Sequence, residues 1–231
     1  MQSTTLRFET QPNFFITADG WGSPASPPVL LLHGGGQTRH SWGDTARFLA
    51  QNGWYAIAYD ARGHGDSDWD EEANYLADAL VGDLRAIVAQ LNTKPALIGA
   101  SMGGITSLIL EGESPQPLAS AVVLVDIAPK PEQKGIERIF AFMSSHLESG
   151  FASLEEAAAA VAAYLPHRTQ PTDLSRLEKN LRFRHGRYYW HWDPTMLKMW
   201  KNTTPDQQIR HEERLYRAHA HRARRHQRRG E

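Results

Sequence analysis

The chain has no cysteine, which excludes disulfide staples and thiolate metal sites and is compatible with a reducing compartment. Long hydrophobic runs are also missing. Runs such as "VLLL" (29–32) and "AVVLV" (121–125) fall far short of the roughly 20 apolar residues that cross a bilayer. The opening "MQSTTLRFETQPNFF" lacks the basic segment, apolar stretch and small-residue cleavage site of a secretory signal. The expected location is therefore the cytoplasm, with no membrane contact. Charge of one sign is lacking too, the net charge being -1 over 231 residues, so nothing global calls for nucleic acid. The glycine-rich "HGGGQTRH" has neither the P-loop lysine nor the G-x-G-x-x-G spacing. No nucleotide, flavin or metal cofactor is implied.

What the chain does contain is enough apolar material, 41% of residues, for one domain with a full core and a small second layer. From 29 to 126 a single theme recurs: a short apolar run, a glycine-rich turn, then a longer helical pattern. "VLLLHG" precedes "SWGDTARFLAQNG", "YAIAYD" precedes "NYLADALVGDLRAIVAQL", "ALIGA" precedes "MGGITSLILEG", and "AVVLVD" closes the series. Such alternation predicts an α/β fold with a mostly parallel sheet and helices on both faces. The strands are apolar throughout, as both-face burial requires. "TLRFET" and "NFFITADG" predict an antiparallel hairpin opening the sheet at its edge. Three parts are expected: a core over 1–129, a helical cap over 130–207 and a basic, non-core tail over 208–231. In the cap, "SLEEAAAAVAAYLP" carries Ser153 with Glu156 as a capping box, "TDLSRLEKNLRF" reads as a second short helix, and "GRYYWHWDP" reads as extended.

The segment "LIGASMGGI" places Ser101 between Gly99 and Gly103 in a G-x-S-x-G pattern, with a strand before it and a helix after it. That is the setting of a nucleophile on a sharp strand-to-helix turn, where a Cβ at either flank would collide with its neighbours. A serine that merely caps the helix is the plainer alternative. His33-Gly34-Gly35-Gly36 ends an earlier strand, and its bare backbone can turn N–H groups toward a developing oxyanion. Gly35 N–H and Met102 N–H are the candidate pair of donors. His33 is expected to organise the loop rather than act as a base.

With "YDARGHGDSD" after the next strand and "VLVDIAPK" after the fourth, these segments resemble the alpha/beta-hydrolase fold family, in its branch of esterases, cofactor-free haloperoxidases and C–C hydrolases. The resemblance implies Ser101 as nucleophile, Gly35 and Met102 as oxyanion donors, and a small-molecule ester as substrate, with perhydrolysis by the same serine as the alternative. Serine rather than aspartate at the elbow argues against epoxide-hydrolase and dehalogenase chemistry. Asp60, Arg62, His64 and Asp66 match a loop that organises the oxyanion region. The cap would wall the pocket with aromatics such as Phe140, Phe142, Tyr164, Trp190 and Trp192, although core packing accounts for them equally well.

The family would next supply two strands, an acid and the triad histidine. Here the later histidines, His211, His219, His221 and His226, lie in "IRHEERLYRAHAHRARRHQRRGE", which has no apolar strand to position them. His167, His185 and His191 fall in the cap. Asp126, at the end of a strand on the side where ligands bind such sheets, is the remaining candidate acid. The tail, rich in arginine from Arg217 through Arg222, Arg224, Arg225, Arg228 and Arg229, reads as an out-of-frame or otherwise non-native end, disordered or a solitary helix. On that reading "AVVLVD" lies at an exposed sheet edge. The different-class alternative is a non-catalytic remnant or binding protein with a basic arm for nucleic acid or an acidic surface.

Overall fold

The computed structural model describes residues 1–127, 133–164, 173–201 and 213–218. Strands β1 (Thr4–Gln11) and β2 (Phe14–Trp21) form the expected antiparallel hairpin, turned at Asn13 with φ 59°. The alternating series follows as β3 (Pro28–Leu32), a short 3-10 turn (Arg39–Trp42), α1 (Gly43–Gln51), β4 (Tyr55–Tyr59), α2 (Ala77–Ala89), β5 (Ala96–Ala100), α3 (Met102–Glu113) and β6 (Ala121–Val125). The six-stranded sheet has the order β1-β2-β4-β3-β5-β6, with β3 to β6 parallel. Period-two alternation sends Leu30, Leu32, Ile57, Tyr59 and Leu97 to one face, where they meet α2 and α3 residues such as Leu84, Ile87 and Ile109. Val29, Leu31, Ala56 and Ala58 go to the other face, against Ala46 and Ala50 of α1. Continuous apolar strands thus bury both faces, and the α/β sheet read from the sequence is the sheet observed.

Among the described residues strand β6 is paired on one side only, and Val123, Leu124 and Val125 are 49%, 38% and 39% exposed.

After the core come α4 (Gln133–Ser144), α5 (Leu154–Tyr164), α6 (Ser175–Glu178), β7 (Leu181–Arg184), β8 (Arg187–Trp190) and α7 (Thr195–Lys201). The capping box forms: Glu156 N–H donates to Ser153 Oγ at 3.2 Å, and the Glu156 carboxylate reaches back to the Ala152 N–H. The stretch read from the sequence as a helical cap is not purely helical, however. The expected second helix stops after one turn, and Leu181–Arg184 instead pairs antiparallel with β8. His185 and Gly186 both have positive φ, 50° and 76°, the requirement of a tight two-residue hairpin turn. That turn, not helix propensity, decides the conformation.

Within the stretch expected to be a free tail, residues 213–218 are helical and packed on the core. Leu215 and Ala218, three apart on one face, are buried, and a Cβ on Gly112 would lie 2.3 Å from Ala218. Arg214 pairs with Asp78 at 2.6 Å and Glu113 at 2.5 Å, while Arg217 stays at the surface against Glu213. A bare α3 surface at Gly112 is the feature that accepts this helix. The histidines and arginines beyond residue 218, with His167 and His211, lie outside the described residues. Among the described residues no helix is long and apolar enough to cross a membrane.

Candidate active site

Ser101 sits between the last residue of β5 and the first of α3 with φ 45° and ψ −113°. A serine pays to occupy this region, so neighbouring structure must hold it there. The flanking glycines show how: a Cβ on Gly99 would come within 2.5 Å of the Gly103 carbonyl group, and one on Gly103 within 2.5 Å of Leu32. Gly104 is equally constrained, its absent Cβ lying 2.1 Å from Ile127. Ser101 N–H donates to Val125 O at 3.0 Å, which ties the elbow to the end of β6. The Ser101 residue itself is exposed.

The turn after β3 packs beside it, a Cβ on Gly34 falling 3.6 Å from Ser101 Cβ. His33 is buried with both ring nitrogens engaged: Nδ1 bonds Gly34 O at 2.8 Å, and Nε2 accepts Ala61 N–H at 2.9 Å. Burial holds its pKa below the ordinary histidine value. It organises the loop, as expected. Gly34 N–H donates to Gln37 Oε1 at 3.2 Å and Gly36 N–H to His64 Nε2 at 3.1 Å. The N–H groups on both sides of Gly35 are therefore committed. Met102 opens α3, where a helix leaves its first N–H groups without internal partners.

His64 is fully buried, and its second nitrogen, Nδ1, bonds Arg62 O at 3.0 Å. Its ring meets His33 edge-on at 4.9 Å. Burial, reinforced by His33, pushes its pKa down to about 3. It remains a neutral acceptor for Gly36 N–H. Asp60 accepts Arg39 N–H at 2.6 Å and the Arg39 guanidinium, and Asp66 takes a further Arg39 bond at 2.8 Å. Burial acts to raise the Asp66 carboxyl, but Arg39 outweighs it and holds the pKa below the usual carboxylate range. Arg62 forms a two-pronged pair with Asp83, at 2.6 and 2.8 Å, and reaches Asp70 at 3.0 Å. The charged loop is a buried truss under the turn. Arg39, which joins Asp19, Asp60 and Asp66, was not singled out from the sequence, because its partners come from three separate segments.

Residues 180–193 are fastened to this truss. Gly65 N–H donates to His191 O and Asp193 N–H to Gly63 O, each at 2.7 Å. Tyr75 O–H donates to the buried Asp193 carboxylate at 2.5 Å, and Thr38 Oγ1 to Asn180 Oδ1 at 2.7 Å. Trp192 and Met143 crowd Gly36, whose added Cβ would lie 3.7 Å and 3.0 Å from them. Of the expected pocket aromatics, Phe142 stacks on Tyr164 at 4.3 Å and meets Trp190 edge-on at 5.5 Å, and Phe140 joins the same cluster. Trp192 is the one of these five found beside a Cβ built on Gly36.

Asp126 follows β6 with φ 55° and an exposed side chain. It lies one residue past Val125, which is paired with Ala100 just before Ser101. No described histidine hydrogen-bonds Ser101: His40 faces Asp19 at 3.9 Å, His191 faces Asp66 at 3.8 Å, His146 stacks on Phe151, and His185 sits in the exposed hairpin turn.

A parallel sheet carrying a strained serine between strand and helix, beside a glycine turn, defines the class. The chain matches the alpha/beta hydrolase fold over residues 27–212, and it belongs to that family. It is 32% identical over 188 residues to an esterase of Mycobacterium tuberculosis, Rv0045c, covering 77% of this chain and 60% of that protein. A 3-hydroxybutyrate-oligomer hydrolase of Cupriavidus necator is 28% identical over 194 residues, covering 80% of this chain and 66% of that protein. The chain thus spans 60 to 66% of the length of these relatives. A hydrolase structure from Rickettsia typhi superimposes with a TM-score of 0.74 at 20% identity, over 86% of this chain and 74% of that one.

Proposed function

We propose that the chain is the nucleophile-bearing part of a serine hydrolase acting on small carboxylic esters. The observation that carries this reading is the backbone of Ser101, kept in a costly conformation by glycines that admit no side chain. In the proposed reaction Ser101 Oγ attacks the ester carbonyl carbon, its proton passing to a base. The carbonyl oxygen takes up the negative charge and is held by Gly35 and Met102 N–H. Collapse of this intermediate expels the alcohol, which receives the proton, and water then cleaves the acyl-serine by the same steps in reverse. Asp126 is the candidate acid for orienting the base, and Trp192 and Met143 pack against the glycine turn at Gly36. No described histidine hydrogen-bonds Ser101, so the base has no assignment among the described residues.

A fluorophosphonate probe tests the nucleophile without a chosen substrate. Labelling should map to Ser101 and vanish in Ser101→Ala, and turnover of a short-chain nitrophenyl ester should vanish with it. Labelling at another residue, or unchanged turnover in the variant, would overturn the assignment.

A further inference from the structure

Residues 179–190 carry Lys179, Arg182, Arg184 and Arg187 and no acidic residue. The hairpin sorts them. Arg182 pairs in register with Tyr189 and Arg184 with Arg187, and directly opposed residues share a face, so all three arginines and Tyr189 lie on one side. The other side presents Leu181, Phe183, Tyr188 and Trp190. Leu181, Tyr188 and Trp190 pack on Phe151 and the cap interior. Phe183, nearest the tip, is left 62% exposed with its ring 4.8 Å from Tyr188. Among the described residues neither Arg182 nor Arg184 has a carboxylate partner. Arg187 is pinned by bonds to Ser149 O and Gly150 O, which leave its charge uncompensated.

We propose that this hairpin docks the protein onto an anionic phospholipid surface, the arginines meeting headgroup phosphates while Phe183 enters the interface. A nucleic acid would need an open aromatic platform beside the cations. Here the Tyr189 ring is already covered by the Arg184 guanidinium at 4.4 Å. The exposed aromatic is Phe183, on the opposite side of the hairpin from the arginines but next to its tip, so a tip-first approach brings it into an apolar layer while Arg184 and Arg187 stay at the headgroups. The sequence average of near-zero charge hides this surface, because strand register rather than chain proximity gathers it.

The hairpin is also anchored at both ends to the glycine turn. Asn180, just before β7, takes hydrogen bonds from Thr38, and Trp192, just after β8, bridges to His64 and packs on Gly36. A docked hairpin therefore bears on the turn that holds the oxyanion. That consequence rests on the serine-hydrolase reading; the docking does not.

Co-sedimentation of the full chain with phosphatidylcholine vesicles, with and without about one-third phosphatidylglycerol, tests the docking at low and high salt. Binding should require the anionic lipid and weaken with salt. Arg182→Ala and Arg184→Ala should each lower the partition coefficient about fivefold, the worth of one cation near such a surface, and Phe183→Ser should lower it without changing the salt dependence. Circular dichroism on the same variants should show the native fold, since all three side chains face solvent. No sedimentation with anionic vesicles, equal sedimentation with neutral ones, partitioning unaltered by the substitutions, or tighter binding to RNA than to vesicles would each overturn the proposal.

Discussion

Arg62 offers the sharpest test of the truss beneath the glycine turn. Its side chain is completely buried, its guanidinium pairs with a carboxylate of Asp83 that is itself 3% exposed, and its plane lies 4.8 Å from the Phe14 ring. Replacing it by methionine keeps the aliphatic volume and removes the charge. The cost then comes from Asp83, stranded in the interior with only Thr10 Oγ1, at 2.7 Å, still donating to it. Breaking a buried pair in this way costs about 3–5 kcal/mol. With about 2.1 cal/mol/K of unfolding entropy per residue, a chain of this size loses roughly 6–10 °C of Tm. The double variant Arg62→Met with Asp83→Leu removes the stranded charge and should recover most of that loss, because an apolar pair of similar volume replaces a buried ion pair at little net cost. Differential scanning calorimetry of the three proteins decides. A single-variant shift below about 2 °C, or a double variant no more stable than the single, would refute the claim that desolvated charge, rather than shape, makes this pair indispensable.

Stability should also fall in acid through His64. Its folded pKa, about 3, lies below the unfolded value near 6.5. The unfolded chain then binds the proton first, so stability is complete above pH 6.5 and is lost at about 1.4 kcal/mol per pH unit as pH falls toward the folded value. His64→Gln, which keeps an acceptor for Gly36 N–H, should flatten urea-derived stability between about pH 4 and 6 by most of that slope; an unchanged slope would assign the acid sensitivity to other groups. At the other end of the chain, Leu215→Ala should cost about 2–5 kcal/mol if residues 213–218 are part of the cooperative core, as a buried leucine at 6% exposure implies. Chemical denaturation with a loss below about 0.5 kcal/mol would show instead that this helix opens separately from the sheet.

The elements that could be read from the sequence are those whose cause is local. The four apolar runs from Val29 to Val125 announce themselves by composition, and the glycines around Ser101 by a spacing that has a steric reason visible in the collisions at Leu32 and Gly104. His33 was legible because a glycine turn beside a strand needs an organiser. Strand β7 was not, since "LRFR" satisfies a helical pattern as well as an extended one and only the positive φ of His185 and Gly186 resolves it. The docking of Leu215 was hidden for a similar reason: an arginine- and histidine-rich stretch reads as solvated until Gly112 and Glu113 are brought against it. The partners of Arg39 were beyond reach, because Asp19, Asp60 and Asp66 converge only through the order of the sheet. Ser101 stands on both kinds of information, the motif for its identity and the fold for its exposure.

The outer side of β6 has a kinetic consequence. Folding of one chain is first order in protein, whereas capture of one exposed Val123–Val125 edge by another is second order. The two processes compete for the same strand, so dilution favours the native sheet and each doubling of concentration doubles the relative flux into association. The refolding yield of this chain should therefore fall as its concentration rises.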